Sequence, residues 1–131
     1  MFYRFTLTVP ANTPESDPVR MTLPLTHGII HRVEIGFPPG LAGLVHVAIY
    51  RFEHQLWPSN PGEWFAWDGY NIAFNEDYWL IEKPFELEVR GWSEDDTFDQ
   101  PVIIRIGIRS APRPMLGGWA RRLFGGRVWE E

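Results

Sequence analysis

The feature that most restricts this chain is a two-residue alternation of apolar and polar side chains, interrupted at short intervals by glycine or proline. Successive side chains of a strand point to opposite faces. Such alternation therefore marks half-buried strands, whereas helical apolar residues recur every three to four positions. In Phe2–Val9, Tyr3, Phe5, Leu7 and Val9 share one face, and Arg4, Thr6 and Thr8 the other. Val19, Met21, Leu23 and Leu25 alternate with Arg20 and Thr22. After Gly28, the residues Ile29, His31, Val33, Ile35 and Phe37 are expected on one face, with Arg32 and Glu34 opposite. Leu44–Phe52 sets Val45, Val47 and Ile49 against His46, Ala48 and Tyr50. Phe85, Leu87 and Val89 are expected to face in, and Glu86, Glu88 and Arg90 to face water. Val102, Ile104, Ile106 and Ile108 line one side of the last strand.

The breaks between these runs carry turn chemistry. Pro10–Pro18 and Trp57–Glu63 read as loops, and Pro38-Pro39-Gly40 as a stop. Asp68-Gly69 is the strongest short turn signal, and it predicts a hairpin of Trp64–Trp67 with Tyr70–Phe74. Tyr78–Ile81 is expected as a separate strand, divided from the next by Lys83-Pro84. About eight short strands with regular turns form an all-β fold, an antiparallel two-sheet sandwich or a barrel. The expected form is a jelly roll, with an immunoglobulin-like sandwich as the alternative. At 131 residues, the chain is the size of one domain and can bury a core without staples.

The organisation changes near residue 110. Residues 1–110 read as the sandwich and 111–131 as a C-terminal arm. Leu116, Trp119 and Leu123 lie at helical spacing, with Phe124 beside them and Arg121 and Arg122 opposite. A short helix within Gly117–Phe124 is expected. Isolated helices below about 12 residues are marginal in water, so this one needs something to dock on. Leu116, Trp119, Arg121, Arg122, Leu123 and Phe124 are therefore the expected interface residues. Four Arg against Glu130 and Glu131 make the arm +2, while eight basic and 15 acidic residues make the body −7.

Several chemistries lack their residues. With no cysteine, disulfides, thiolate metal sites and cysteine nucleophiles are excluded. There is no phosphate-binding G-x-x-x-x-G-K-[ST] and no G-x-S-x-G elbow, and Ser16, Ser59, Ser93 and Ser110 lie in no nucleophile context. His27 and His31 are four apart, which on a strand separates them by roughly 13 Å, too far for one ion. With His46 and His54 they show no His-x-His, so neither a metal nor a cofactor is expected. Glu94, Asp95, Asp96 and Asp99 gather oxygens that a hard cation would suit, yet they lack the EF-hand alternation and glycine. They read instead as a solvated loop. A net charge of −5 argues against nucleic acid, which needs a basic face. No apolar run approaches the roughly 20 residues of a membrane span, and Met1–Leu25 has the wrong pattern for a leader. No enzyme activity is expected.

The aromatic content points elsewhere. Aromatics make up 15% of the chain, and Trp57, Trp64, Trp67, Trp79 and Trp92 cluster between positions 57 and 92. Trp57, Trp64, Trp67 and Trp92 are the candidate ligand platform, for sugar rings or a protein partner. Core filling is the simpler role for any one of them. Of 12 basic residues, 11 are Arg, which suits interfaces, although a GC-rich genome or a hot habitat explains the same bias more simply.

The run His27-Gly-Ile-Ile-His-Arg-Val-Glu-Ile-Gly-Phe-Pro-Pro-Gly40, then Leu44–Tyr50, Asp68-Gly-Tyr-Asn-Ile72 and Pro84–Asp96, resembles small β-sandwich proteins encoded among the virion genes of tailed bacteriophages. Those are similar in size and layout to capsid decoration, or cement, proteins. The resemblance spans roughly Gly28–Ile108 and leaves the basic arm unmatched. It implies a structural protein located in the virion, binding itself and capsid or other virion proteins. It also implies a homo-oligomer, commonly a trimer. The alternatives in order are a carbohydrate-binding module, free or receptor-directed, and a cupin-like metalloenzyme. If the protein is not viral, its compartment is not readable from the sequence.

Overall fold

A computed structural model describes residues 1–112 of the chain; the expected arm helix and its interface residues Leu116–Phe124 lie outside them. Among the described residues there are eight strands and no helix: β1 Phe2–Val9, β2 Val19–Pro24, β3 Gly28–Phe37, β4 Val45–Arg51, β5 His54–Trp57, β6 Tyr70–Leu80, β7 Glu86–Ser93 and β8 Gln100–Arg109. They form two sheets of order β1-β8-β3-β6 and β2-β7-β4-β5, with every pairing antiparallel. This interleaved order is the eight-stranded jelly roll. Only β4 and β5 are consecutive strands that also lie side by side.

The alternation explains why the sheets stack. Leu7, Val9, Val33, Ile35, Phe37, Val102, Ile104 and Ile106 of the first sheet meet Leu23, Val45, Val47, Ile49, Leu87 and Val89 of the second, and all are buried. Most of these residues are β-branched, which packs well on a pleated surface. Removing each from water stabilises the fold by about 1.5–3 kcal/mol.

Five expectations are corrected. The Trp64–Phe74 hairpin does not form. Phe65 bridges to Val47 in the second sheet, whereas Tyr70 pairs with Phe37 in the first. Asp68-Gly69 is a turn, with Gly69 at φ 61°, but it carries the chain between sheets. Tyr70–Phe74 and Tyr78–Ile81 are one strand, β6, and His54–Trp57 is a strand where a loop was expected at Trp57. In β3, His31 sits at a bulge between Ile30 and Arg32. The bulge shifts the alternation, so Ile30 joins the core and His31 lies against Gly107 on the outer face. Arg90 is on the outer face as expected but only 8% exposed. Its guanidinium lies 4.0 Å from the Tyr50 ring centroid and bonds Glu88 and Glu53. Burial works against its charge, yet these two carboxylates outweigh it and raise its pKa.

Gly28 marks where β3 enters between neighbours. A Cβ there would collide with Ile108 Cγ2 and stand 2.6 Å from the Arg109 carbonyl oxygen. Backbone cannot yield as a side-chain tip can, so Gly28→Ala is expected to cost about 1–3 kcal/mol, read by urea denaturation.

Candidate functional site: a stitched acidic end

Jelly-roll connectivity places four sheet-to-sheet crossings at one end of the sandwich. They are residues 10–18, 38–44, 58–69 and 94–99. The strand register confirms their proximity, since Val9 pairs with Gln100, Phe37 with Tyr70, and Val45 with Ser93. These loops contain Glu15, Asp17, Glu63, Asp68, Glu94, Asp95, Asp96 and Asp99, and no Lys, Arg or His. The body's negative charge is thus concentrated at this end. Its basic residues are on the strands, apart from Lys83 in the opposite set of connections.

Hydrogen bonds tie the four loops into a ring. Loops 10–18 and 94–99 are joined by Asn12 N to Asp95 O (2.8 Å) and by Ala11 N to the Asp99 carboxylate (2.9 Å). The Glu94 amide donates to Leu44 O at 2.9 Å, reaching loop 38–44. The Gly40 amide donates to Asp68 Oδ1 at 2.8 Å, reaching loop 58–69. Trp64 Nε1 closes the ring on Glu15 Oε2 at 2.9 Å.

Asp95 anchors loop 94–99. It is 9% exposed and accepts from Gln100 Nε2 (3.0 Å), Thr97 N (2.9 Å) and Phe98 N (3.1 Å). The Gln100 amide, followed by the two backbone amides, holds its carboxyl below the usual aspartate range. The expectation of a solvated loop therefore fails at Asp95, whereas Asp99 accepts the Ala11 amide while remaining exposed. The sequence signal was present: Ser93, Asp95 and Thr97 alternate in the way that side chains capping their own loop do.

The tryptophans divide into three environments. Trp57 is 4% exposed and packs edge-on against Phe74 and Tyr78, so it belongs to the core and offers no platform. Trp92 and Trp64 are half-buried on the outer face of the second sheet. His46 stacks on Trp92 at 3.9 Å, and Trp92 meets Trp64 edge-on at 6.2 Å. Glu94 Oε2 lies 3.0 Å from His46 Nε2. A ladder Glu94–His46–Trp92–Trp64–Glu15 thus runs along the rim of the acidic end. Cross-strand pairing of His46 with Trp92 sets it up, which linear spacing did not reveal. Trp67 alone of the four platform candidates is mainly exposed, at 54%, and its ring lies 5.3 Å from that of Tyr70, exposed 55%. Phe98, 64% exposed, adds a third ring at this end.

The remaining histidines are dispersed: His27 packs edge-on to Phe85, and His54 is exposed on β5. Among the described residues no three His, Asp or Glu side chains converge as metal ligands. No helix there is long and apolar enough to cross a membrane. The chain matches no known family model, no curated protein and no solved structure.

The Asp95 contacts carry a pH signature. Its depressed pKa makes the ionised loop fully stabilising above about pH 5, and that contribution is lost as pH falls through the folded value, below about 3.9. Asp95→Asn is expected to melt below wild type at pH 7. The gap should narrow on acidification below about pH 4, because wild type then loses what the variant already lacks. A gap independent of pH in thermal melts would show that ionisation of Asp95 does not matter.

Proposed function

We propose that this is a non-enzymatic structural or accessory protein of a virus particle, binding capsid or other virion proteins. One observation carries the reading. A pre-tied loop end presents carboxylates and exposed aromatics on a chain whose own terminal segment is basic and aromatic. Tied loops lose little entropy on binding, so their contacts convert efficiently to affinity. Trp67, Tyr70 and Phe98 supply ring anchors of the kind that dominate interface energetics. The carboxylates around them select a basic partner and speed its approach at low salt.

The basic arm, with Arg113, Arg121, Arg122 and Arg127 around Trp119 and Leu123, has the complementary composition. In this reading it reaches an acidic surface on a neighbouring subunit or capsid protein. The resemblance read from the sequence implies an attachment of this kind.

A carbohydrate-binding role is the second reading, favoured by the exposed Trp67–Tyr70 pair. The two readings separate on one pair of measurements. Under the virion reading the chain is recovered with intact particles of the virus that encodes it, and Asp17→Lys with Glu63→Lys releases it. Absence of the chain from purified particles overturns that reading, and retention of the double variant removes the acidic end from it. Glycan-array binding that is lost in Trp67→Ala but unchanged in the charge variant favours the sugar.

A further inference from the structure

β1 lies at the edge of the first sheet, and among the described residues nothing pairs with its outer side. Which of its groups face outward follows from one pair. Met1 N donates to Ile108 O at 2.8 Å, and Ile108 N donates to Met1 O at 2.7 Å. Antiparallel ladders alternate, so Tyr3, Phe5, Leu7 and Val9 also exchange bonds with β8. Phe2, Arg4, Thr6 and Thr8 therefore turn their N–H and C=O groups to the open edge.

Natural sheets guard such edges with proline, bulges, charge or brevity. The other three edges show these devices. β2 ends in Pro24 and carries Arg20, β5 has four residues, and β6 has a bulge opposite His31 with Asp77 beside it. β1 has eight residues, no proline, no glycine and no bulge. Its start is apolar and exposed, with Met1 at 74% and Phe2 at 55%. Tyr3 and Phe5, half-buried, stack their rings along its inner side at 6.2 Å. Arg4 is its one charge.

We infer that β1 pairs with β1 of a second copy, antiparallel and centred on Phe5, joining two sandwiches through one continuous sheet. The occupant follows from self-complementarity. Centring on Phe5 sets Phe2 opposite Thr8 of the second copy and Arg4 opposite Thr6, and all four open-edge residues then exchange both bonds. Centring on Arg4 would oppose two like charges, and centring on Thr6 would leave Phe2 unpaired. The contact is isologous and closes at two copies. It does not depend on the virion reading.

The test is sedimentation equilibrium of the 131-residue chain. The expected mass is concentration-dependent and reaches twice the 15.3 kDa of the chain. Thr6→Pro removes an outward N–H while leaving the β8 ladder intact, a substitution that edge strands accept. It should raise the dimer dissociation constant at least about tenfold with circular dichroism unchanged, by analogy with the loss of a central interface contact. Because the chain has no cysteine, oxidised Phe5→Cys should cross-link: residues opposite at a non-bonded position have Cα atoms about 4.5 Å apart. Thr8→Cys should not, since the two copies of that residue would lie about 20 Å apart. Should Thr6→Pro fail to fold, the cysteine pair decides. A monomer at all concentrations, a dimer indifferent to folded Thr6→Pro, or equal cross-linking of the two cysteine variants overturns the inference. A trimer does so too, while leaving the virion reading standing.

Discussion

Everything in this molecule depends on burying the inner faces of two sheets that cannot be made separately. Each sheet draws its strands alternately from along the chain, and only β4 and β5 pair as sequence neighbours. A ladder such as β1–β8 or β2–β7 gains nothing until the intervening strands have crossed to the other sheet. The apolar stripes of β3, β4, β7 and β8 reward that crossing, because each is complete only against the other sheet. Local hydrogen bonding alone does not nucleate such a fold, and the long separations between partners make it slow to form. The same interleaving sends four connections to one end, so the acidic surface is a product of topology rather than of any local motif.

That surface carries an internal tension. Like charges in close loops repel, and they would spread the loops if nothing held them. Half of the carboxylates are themselves the ties: Asp95 and Asp99 bind loop amides, Asp68 binds Gly40, and Glu15 binds the Trp64 indole. Charge-assisted bonds of this kind are stronger than neutral ones, which lets repulsion and order coexist. Asp17 and Glu63 are left exposed at the same end. Acidity here is partly construction material and partly display.

How far the sequence speaks differs between core and site. The alternation in β1, β2, β4 and β8 located the strands and their inward faces, because period two is a property of the strand itself. It missed the His31 bulge, where a pairing irregularity and not composition resets the faces. It misjudged Asp68-Gly69, whose turn chemistry is the same whether the flanking strands pair with each other or leave for different sheets. At the site, the carboxylates and tryptophans were visible as residues, but their grouping was not. Residues 46 and 92 meet only when β4 pairs with β7, and residues 15 and 64 only when their two loops converge at one end. Trp57 illustrates the opposite error: it shares its residue type with Trp67 but follows a strand alternation that turns it inward.

On the ribosome, the pairing of the first strand with the last sets an order of events. Phe2–Val9 leaves the exit tunnel early but meets its partner only after residue 109 has followed. At about 5–20 residues per second, that strand waits several seconds with both edges open. Fragments released before β8 lack the central strand that joins β1 to β3, so truncated translation products cannot complete the first sheet. The body therefore folds all at once, only when its last strand has been made, and a cell making many copies together holds many unpaired first strands at the same time. Such a protein is best made where a chaperone or a slow translation rate separates one nascent chain from the next.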